Sequence, residues 1–290
     1  MASQILEIYH KDFIVAGQAE GRLVLMNDCF LSFCQTWFDD YASRFHSPDP
    51  EIEKNIILKL KHTARVRHNI SRIAASLLLS PENVAKAEVL AILHDVGRFE
   101  QLRQYGTFND RISTDHAALS VKVIARFGIL HGLPKEEGHL LQRAVWLHNK
   151  YAIPETEKAD RLLFSRLIRD ADKLDILGLI VEHLEMRISN PNLNRALDFG
   201  LIEKPGFSRQ VAEDIFDGKM VRIAALNNLN DMRLMYLSWV FDINFPVTLS
   251  IIKERGYLEK LRAGLPQDRE ICEIVDFVDG YLQERKRLYI

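Results

Sequence analysis

The chain has 290 residues, 47% of them hydrophobic, with 38 Lys and Arg against 40 Asp and Glu for a formal charge of −2. That balance excludes a disordered or collagen-like chain and lacks the clustered cations that broad nucleic-acid binding needs. The length implies about two domains. Cys29, Cys34 and Cys272 contain no CxxC pair and suit free thiols of a reducing compartment, and no apolar run approaches the ~18 residues of a membrane span, so a cytoplasmic protein without a membrane partner is expected.

In chain order, Phe13-Ile14-Val15 and Leu23-Val24-Leu25 flank a turn from Gly17 to Gly21, a pattern compatible with a small hairpin. From residue 28 onward apolar residues recur at three- and four-residue spacing, which predicts an all-α architecture. Glu51 to Leu79 carries apolar stripes at Ile52, Ile56, Leu60, Ile70, Ile73 and Leu77. Ser80-Pro81-Glu82 supplies an N-cap, a proline at the first helical position and an acidic first turn. The helix that follows is apolar on nearly every side towards Leu93, which marks it as central, and Gly97 is expected to stop it. Gln101 to Ser113 reads as a loop. Further helices are expected over Thr114 to His131, Glu136 to Lys150 and Lys158 to Ile188, with a break at Asn190-Pro191-Asn192. This divides the chain into a segment 1–50 packing on the core, a helical domain 51–189, and a C-terminal helical extension 190–290.

The chemistry concentrates at Leu93-His94-Asp95-Val96-Gly97-Arg98, where an imidazole and a carboxylate end the most apolar helix. Charged side chains are almost never buried without a partner. Upstream lies His68. Downstream, Asp172 follows Ile168 by four positions and shares its inward stripe. Three helices thus aim imidazole or carboxylate groups at one interior. Such a set, with no thiolate, suits a borderline or hard divalent ion such as Mn, Fe, Co, Ni, Mg or Zn, in a working site with open positions.

His68, then His94-Asp95-Val96-Gly97-Arg98, then Asp172-Lys173, in this order and spacing, resemble the HD superfamily of metal-dependent phosphohydrolases over roughly residues 62–180. The resemblance implies a helical HD bundle in which His68, His94, Asp95 and Asp172 bind a metal. It also implies hydrolysis of a phosphomonoester or phosphodiester. In binuclear members, histidines at places corresponding to His116 and His148 bind a second metal and the aspartate of the HD pair bridges both ions, so one or two divalent ions are implied. A metal-held hydroxide then attacks phosphorus. Asp115-His116 as a capping pair and His148 at a helix C-terminus are the structural alternatives for the second pair. Asn149, where the cyclic-dinucleotide branch has a second adjacent histidine, and Tyr151-Ala152-Ile153-Pro154, in place of Gly-Tyr-Pro, depart from that branch. Gly97-Arg98-Phe99 replaces the acidic pair of the stringent-response branch.

A phosphate needs cations, and the candidates are Arg98 first, then Arg72, then Lys150, with Lys173 a lesser one. His10, His46, His62, His131, His139 and His183 are left as surface or structural side chains, and Lys59, Lys61, Arg65 and Arg67 as a solvated helix face. The expected substrate is a nucleotide or another small phosphorylated metabolite, with a homo-oligomer left open. Two rival readings stand beside hydrolysis: an HD-fold di-iron oxygenase, and a non-catalytic nucleotide-sensing module.

Overall fold

In the computed structural model of the protein, residues 28–190 and 197–287 are described. The hairpin expected before residue 28 lies outside them. The described residues form helices and no strand, in line with the all-α expectation. They fall into two compact units, one ending at Ala171 and the other beginning at Asp172. Among the described residues, no helix is long and apolar enough to cross a membrane. Cys29, Cys34 and Cys272 are free.

The first unit opens with α1 (Asp28–Ser43) and α2 (Pro50–Ser76). The α2 helix starts where Asp49 accepts hydrogen bonds from the amides of Glu51 and Ile52, with Pro50 in the first turn. Ile56, Val66, Ile70 and Ile73 form its buried stripe. Helix α3 (Pro81–Leu93) begins as expected, with Ser80 Oγ accepting from Asn83 N at 3.3 Å. Its buried run from Val89 to Leu93 makes it the centre of the unit, packed against α1, α2 and α6 (Lys135–Leu147).

The expected stop at Gly97 is corrected. Three residues of turn, His94 to Val96, separate α3 from α4 (Gly97–Tyr105), so Gly97 begins a helix, and the loop expected from Gln101 starts at Gly106. The glycine is required for a different reason. A Cβ there would lie 2.4 Å from Ser120 N and 2.7 Å from His116 O, both main-chain atoms of α5 (His116–Phe127). Only a bare backbone lets α4 and α5 approach this closely, and Gly97 N donates to Ser120 Oγ at 2.9 Å. Tyr41 of α1 donates to Val96 O at 3.3 Å, pinning the turn that carries His94 and Asp95.

The long helix α7 (Ala159–Ser189) buries Phe164, Leu167 and Ile168 and runs unbroken through the division at Ala171. In the second unit, α8 (Arg209–Phe216) and α11 (Tyr257–Ala263) pack on α9 (Leu229–Ser238), a helix buried along its whole length. α10 (Pro246–Glu254) packs on α11, and α12 (Arg269–Arg287) on α8.

Candidate metal centre

Asp95 sits in the turn after α3, 4% exposed, with histidines on both sides of its carboxylate. On one side, Oδ2 lies 3.5 Å from His62 Nε2 and 3.8 Å from His94 Nε2. On the other, Oδ1 lies 3.5 Å from His116 Nε2 and 3.7 Å from His148 Nε2. The two Nε2 atoms within each pair are 3.3 Å apart for His62 and His94, and 3.0 Å apart for His116 and His148. Donor atoms of His94, Asp95 and His148 lie within 4.8 Å of one another. Asp172 is the residue of α7 next to Ala171, whose carbonyl accepts from the buried Asn69 of α2 at 3.3 Å.

The protons on these rings can be placed. His94 Nδ1 is 2.7 Å from Ala91 O, and His148 Nδ1 is 2.6 Å from Val145 O. A carbonyl only accepts, so both Nδ1 atoms carry hydrogen and donate, which turns both Nε2 atoms towards Asp95. His116 Nδ1 is 2.5 Å from Asp110 Oδ2. Burial drives the His116 pKa down, helped by the positive charge of Arg98, to about 3. Burial alone would push the Asp110 carboxyl up. The hydrogen bond from His116 and the charge of Arg98 outweigh it and hold Asp110 at about 2. At neutral pH His116 therefore donates through Nδ1, and its Nε2 lies 3.0 Å from that of His148.

Four imidazole nitrogens around one buried carboxylate fit a metal. The donors are imidazole nitrogen and carboxylate oxygen, suited to borderline or hard divalent ions. Asp95 Oδ1 is buried with no hydrogen-bond partner, and so is Arg98 Nε, 3.5 Å away. Burial raises the Asp95 pKa, yet the charges of Lys59 and Arg98 hold it well below the usual carboxylate range, so the acceptor stays ionised.

The structure gathers His94, Asp95, His116 and His148 as expected from the sequence, places Asp172 at the start of the second unit, and corrects one member. His68 is exposed, and His62, six residues earlier on α2, is buried at the centre. Six residues turn a helix about 120° from the starting direction, so the two cannot share a face. The signal was present: His62 precedes buried Val66 by four residues and Ile73 by eleven, which places it on the stripe that excludes His68. We expect His62→Ala to lose metal affinity by about tenfold or more, at least the loss usual for removing a group that merely supports a ligand. His68→Ala should leave metal content unchanged, read by elemental analysis of both proteins.

Among the expected cations, Arg98 stands at Asp95. Arg72 is exposed on α2, Lys150 pairs with Asp115 and lies over Trp146, and Lys173 turns to Asp242 at 2.6 Å and lies over Trp239. None of these three is at Asp95. Lys59, read from the sequence as solvated, places Nζ 2.8 Å from Asp95 Oδ2. It lies three residues before His62, one turn along the same face. Asp115 caps α5 through the amides of Ala117 and Ala118, so the capping alternative holds for Asp115 while His116 turns inward. Sequence reasoning also missed Arg169, 1% exposed, whose guanidinium donates to the carbonyls of Leu147, His148, Lys150 and Tyr151 and so secures the end of α6 that carries His148.

Residues 60–177 match the family model described as the HD domain. Comparison with curated proteins and with solved structures gives no match. The matched stretch contains His62, His94-Asp95 and Asp172 in the H…HD…D order. This part of the chain is an HD domain, of a superfamily whose members are generally metal-dependent phosphohydrolases.

Proposed function

We propose that the protein is a divalent-metal-dependent phosphohydrolase that cleaves a phosphoester of a nucleotide or another small phosphorylated metabolite. The observation that carries this reading is Asp95, whose two oxygens are divided between the His62–His94 pair and the His116–His148 pair, so that one carboxylate would serve ions held at either pair. Divalent ions bound there would supply Lewis acidity towards a phosphoryl oxygen and bring the pKa of a water towards neutrality.

The chain's own side chains provide the rest. Lys59 and Arg98 flank Asp95 on opposite oxygens, a point charge on one side and a planar fork on the other. Arg98 is oriented through Nη1 by Phe108 O, Gln101 Oε1 and Asp110 Oδ1, which leaves its buried Nε without a hydrogen bond. The Phe108 ring lies 5.2 Å from Lys59 Nζ and 5.8 Å from Arg98 Cζ, close enough for its π face to steady both cations. Two fixed cations beside the bridging carboxylate suit a phosphorylated anion and have no evident use with dioxygen, which favours hydrolysis over the oxygenase reading.

The test is metal content paired with turnover. Protein purified without chelator should contain a divalent ion and hydrolyse members of a panel of nucleoside monophosphates, cyclic nucleotides and sugar phosphates. Chelation should abolish turnover and lower thermal stability, since an ion at a hundredfold excess over its Kd stabilises the fold by about 2.7 kcal/mol. Adding Mn2+ should restore both. Undiminished turnover after complete metal removal would refute the proposal, and oxygen-dependent turnover by iron-loaded protein inert to the panel would replace it with the oxygenase reading.

A further inference from the structure

Asp110 lies outside the ligand set and outside the pair of cations, yet it touches both. It sits between α4 and α5 and divides its oxygens. Oδ1 accepts from Arg98 Nη1 at 3.0 Å and from Gln101 Nε2 at 2.8 Å, while Oδ2 accepts from His116 Nδ1 at 2.5 Å and from Asn149 Nδ2 at 3.4 Å. Resting on the function proposed above, the geometry points to Asp110 as a positioning residue that couples the cation site of His116 and His148 to the phosphate-facing guanidinium of Arg98.

Two physical effects make the coupling. A carboxylate accepting from Nδ1 fixes the tautomer and orientation of the ring and makes Nε2 a better donor to a metal. The other oxygen holds one arm of Arg98, so the fork cannot swing away from Asp95 without giving up a charge-assisted bond. The loop around Asp110 is tied as well, because Gln101 Nε2 also donates to Ser113 Oγ and Thr114 O, and Arg98 Nη1 donates to Phe108 O. Asp110 therefore cannot follow one partner and abandon the other. An amide at this position has a single acceptor oxygen. Asp110→Asn can serve Arg98 or His116, but not both.

The experiment titrates Mn2+ into metal-free full-length protein by calorimetry, then inorganic phosphate into the Mn2+-loaded protein. Wild type should take up two ions. Asp110→Asn should bind one of them about 10- to 100-fold more weakly, leave the other unchanged, and bind phosphate several-fold more weakly. Asp110→Glu, which keeps two acceptor oxygens, should recover part of both losses. An equal loss at both ions would mean a merely structural residue, and a Glu variant no better than the Asn variant would remove the need for two acceptors; either outcome overturns the coupling. So does an Asn variant that titrates like wild type, and in that case the proposed function stands. Wild type that takes up fewer than two ions overturns the two-ion reading itself, and the coupling with it.

Discussion

Asp95→Asn is expected to lower the proposed hydrolytic turnover by about a thousandfold or more, because the several kcal/mol that a metal would supply to a phosphoryl transition state would be lost at about tenfold per 1.36 kcal/mol. The substitution keeps the shape and removes the one group common to both histidine pairs. An asparagine has one acceptor oxygen, so its NH2, which cannot ligate an ion, must face either His62 and His94 or His116 and His148. It also leaves Lys59 and Arg98 with no negative charge between them. Turnover and elemental analysis on the same preparation check this. A variant that keeps both its metal and its rate refutes the bridging role.

Arg169→Met lowers the free energy of unfolding by about 3 kcal/mol or more. The guanidinium is buried and donates to four carbonyls at and beyond the end of α6, which that helix cannot satisfy by itself. Each buried acceptor left unsatisfied costs about 1–3 kcal/mol, so even partial relaxation leaves a large loss. Arg169→Lys should fail to restore it, since an ammonium cannot span carbonyls arranged for a planar fork. Urea unfolding with an unchanged m value and a lowered midpoint is the expected result, and an unshifted midpoint contradicts it. Because His148 sits at that helix end, the surviving folded protein should also bind its second ion more weakly.

The helical class and most helix starts were legible in the sequence because they rest on local chemistry. Ser80-Pro81-Glu82 and the apolar run to Leu93 describe the start and burial of α3 without any tertiary information. The centre was legible only in part. His94 and Asp95 were found because polar groups on an apolar helix need a partner. His62 was missed because Ile52, Ile56 and Leu60 at one end of α2 and Ile70, Ile73 and Leu77 at the other suggest two overlapping stripes. Only Val66, buried between them, settles which histidine shares the inward face. Arg72 and Lys150 were judged by sequence distance from a ligand, which carries no information on direction. Lys59 was passed over because one helix face can be solvated along part of its length and buried at one turn. Gly97 resembled a terminator because its real constraint is main chain from α5, distant in sequence.

The Nδ1 hydrogens of His94 and His148 are given to carbonyls three residues earlier, at Ala91 and Val145, so ring orientation at these positions is inherited from the polypeptide path. A loose set of donors would forfeit rotational freedom each time it captured an ion, whereas here that entropy is surrendered once, when the coils form. Vacating and refilling the cage should therefore be nearly a rigid event, with little repacking to slow it.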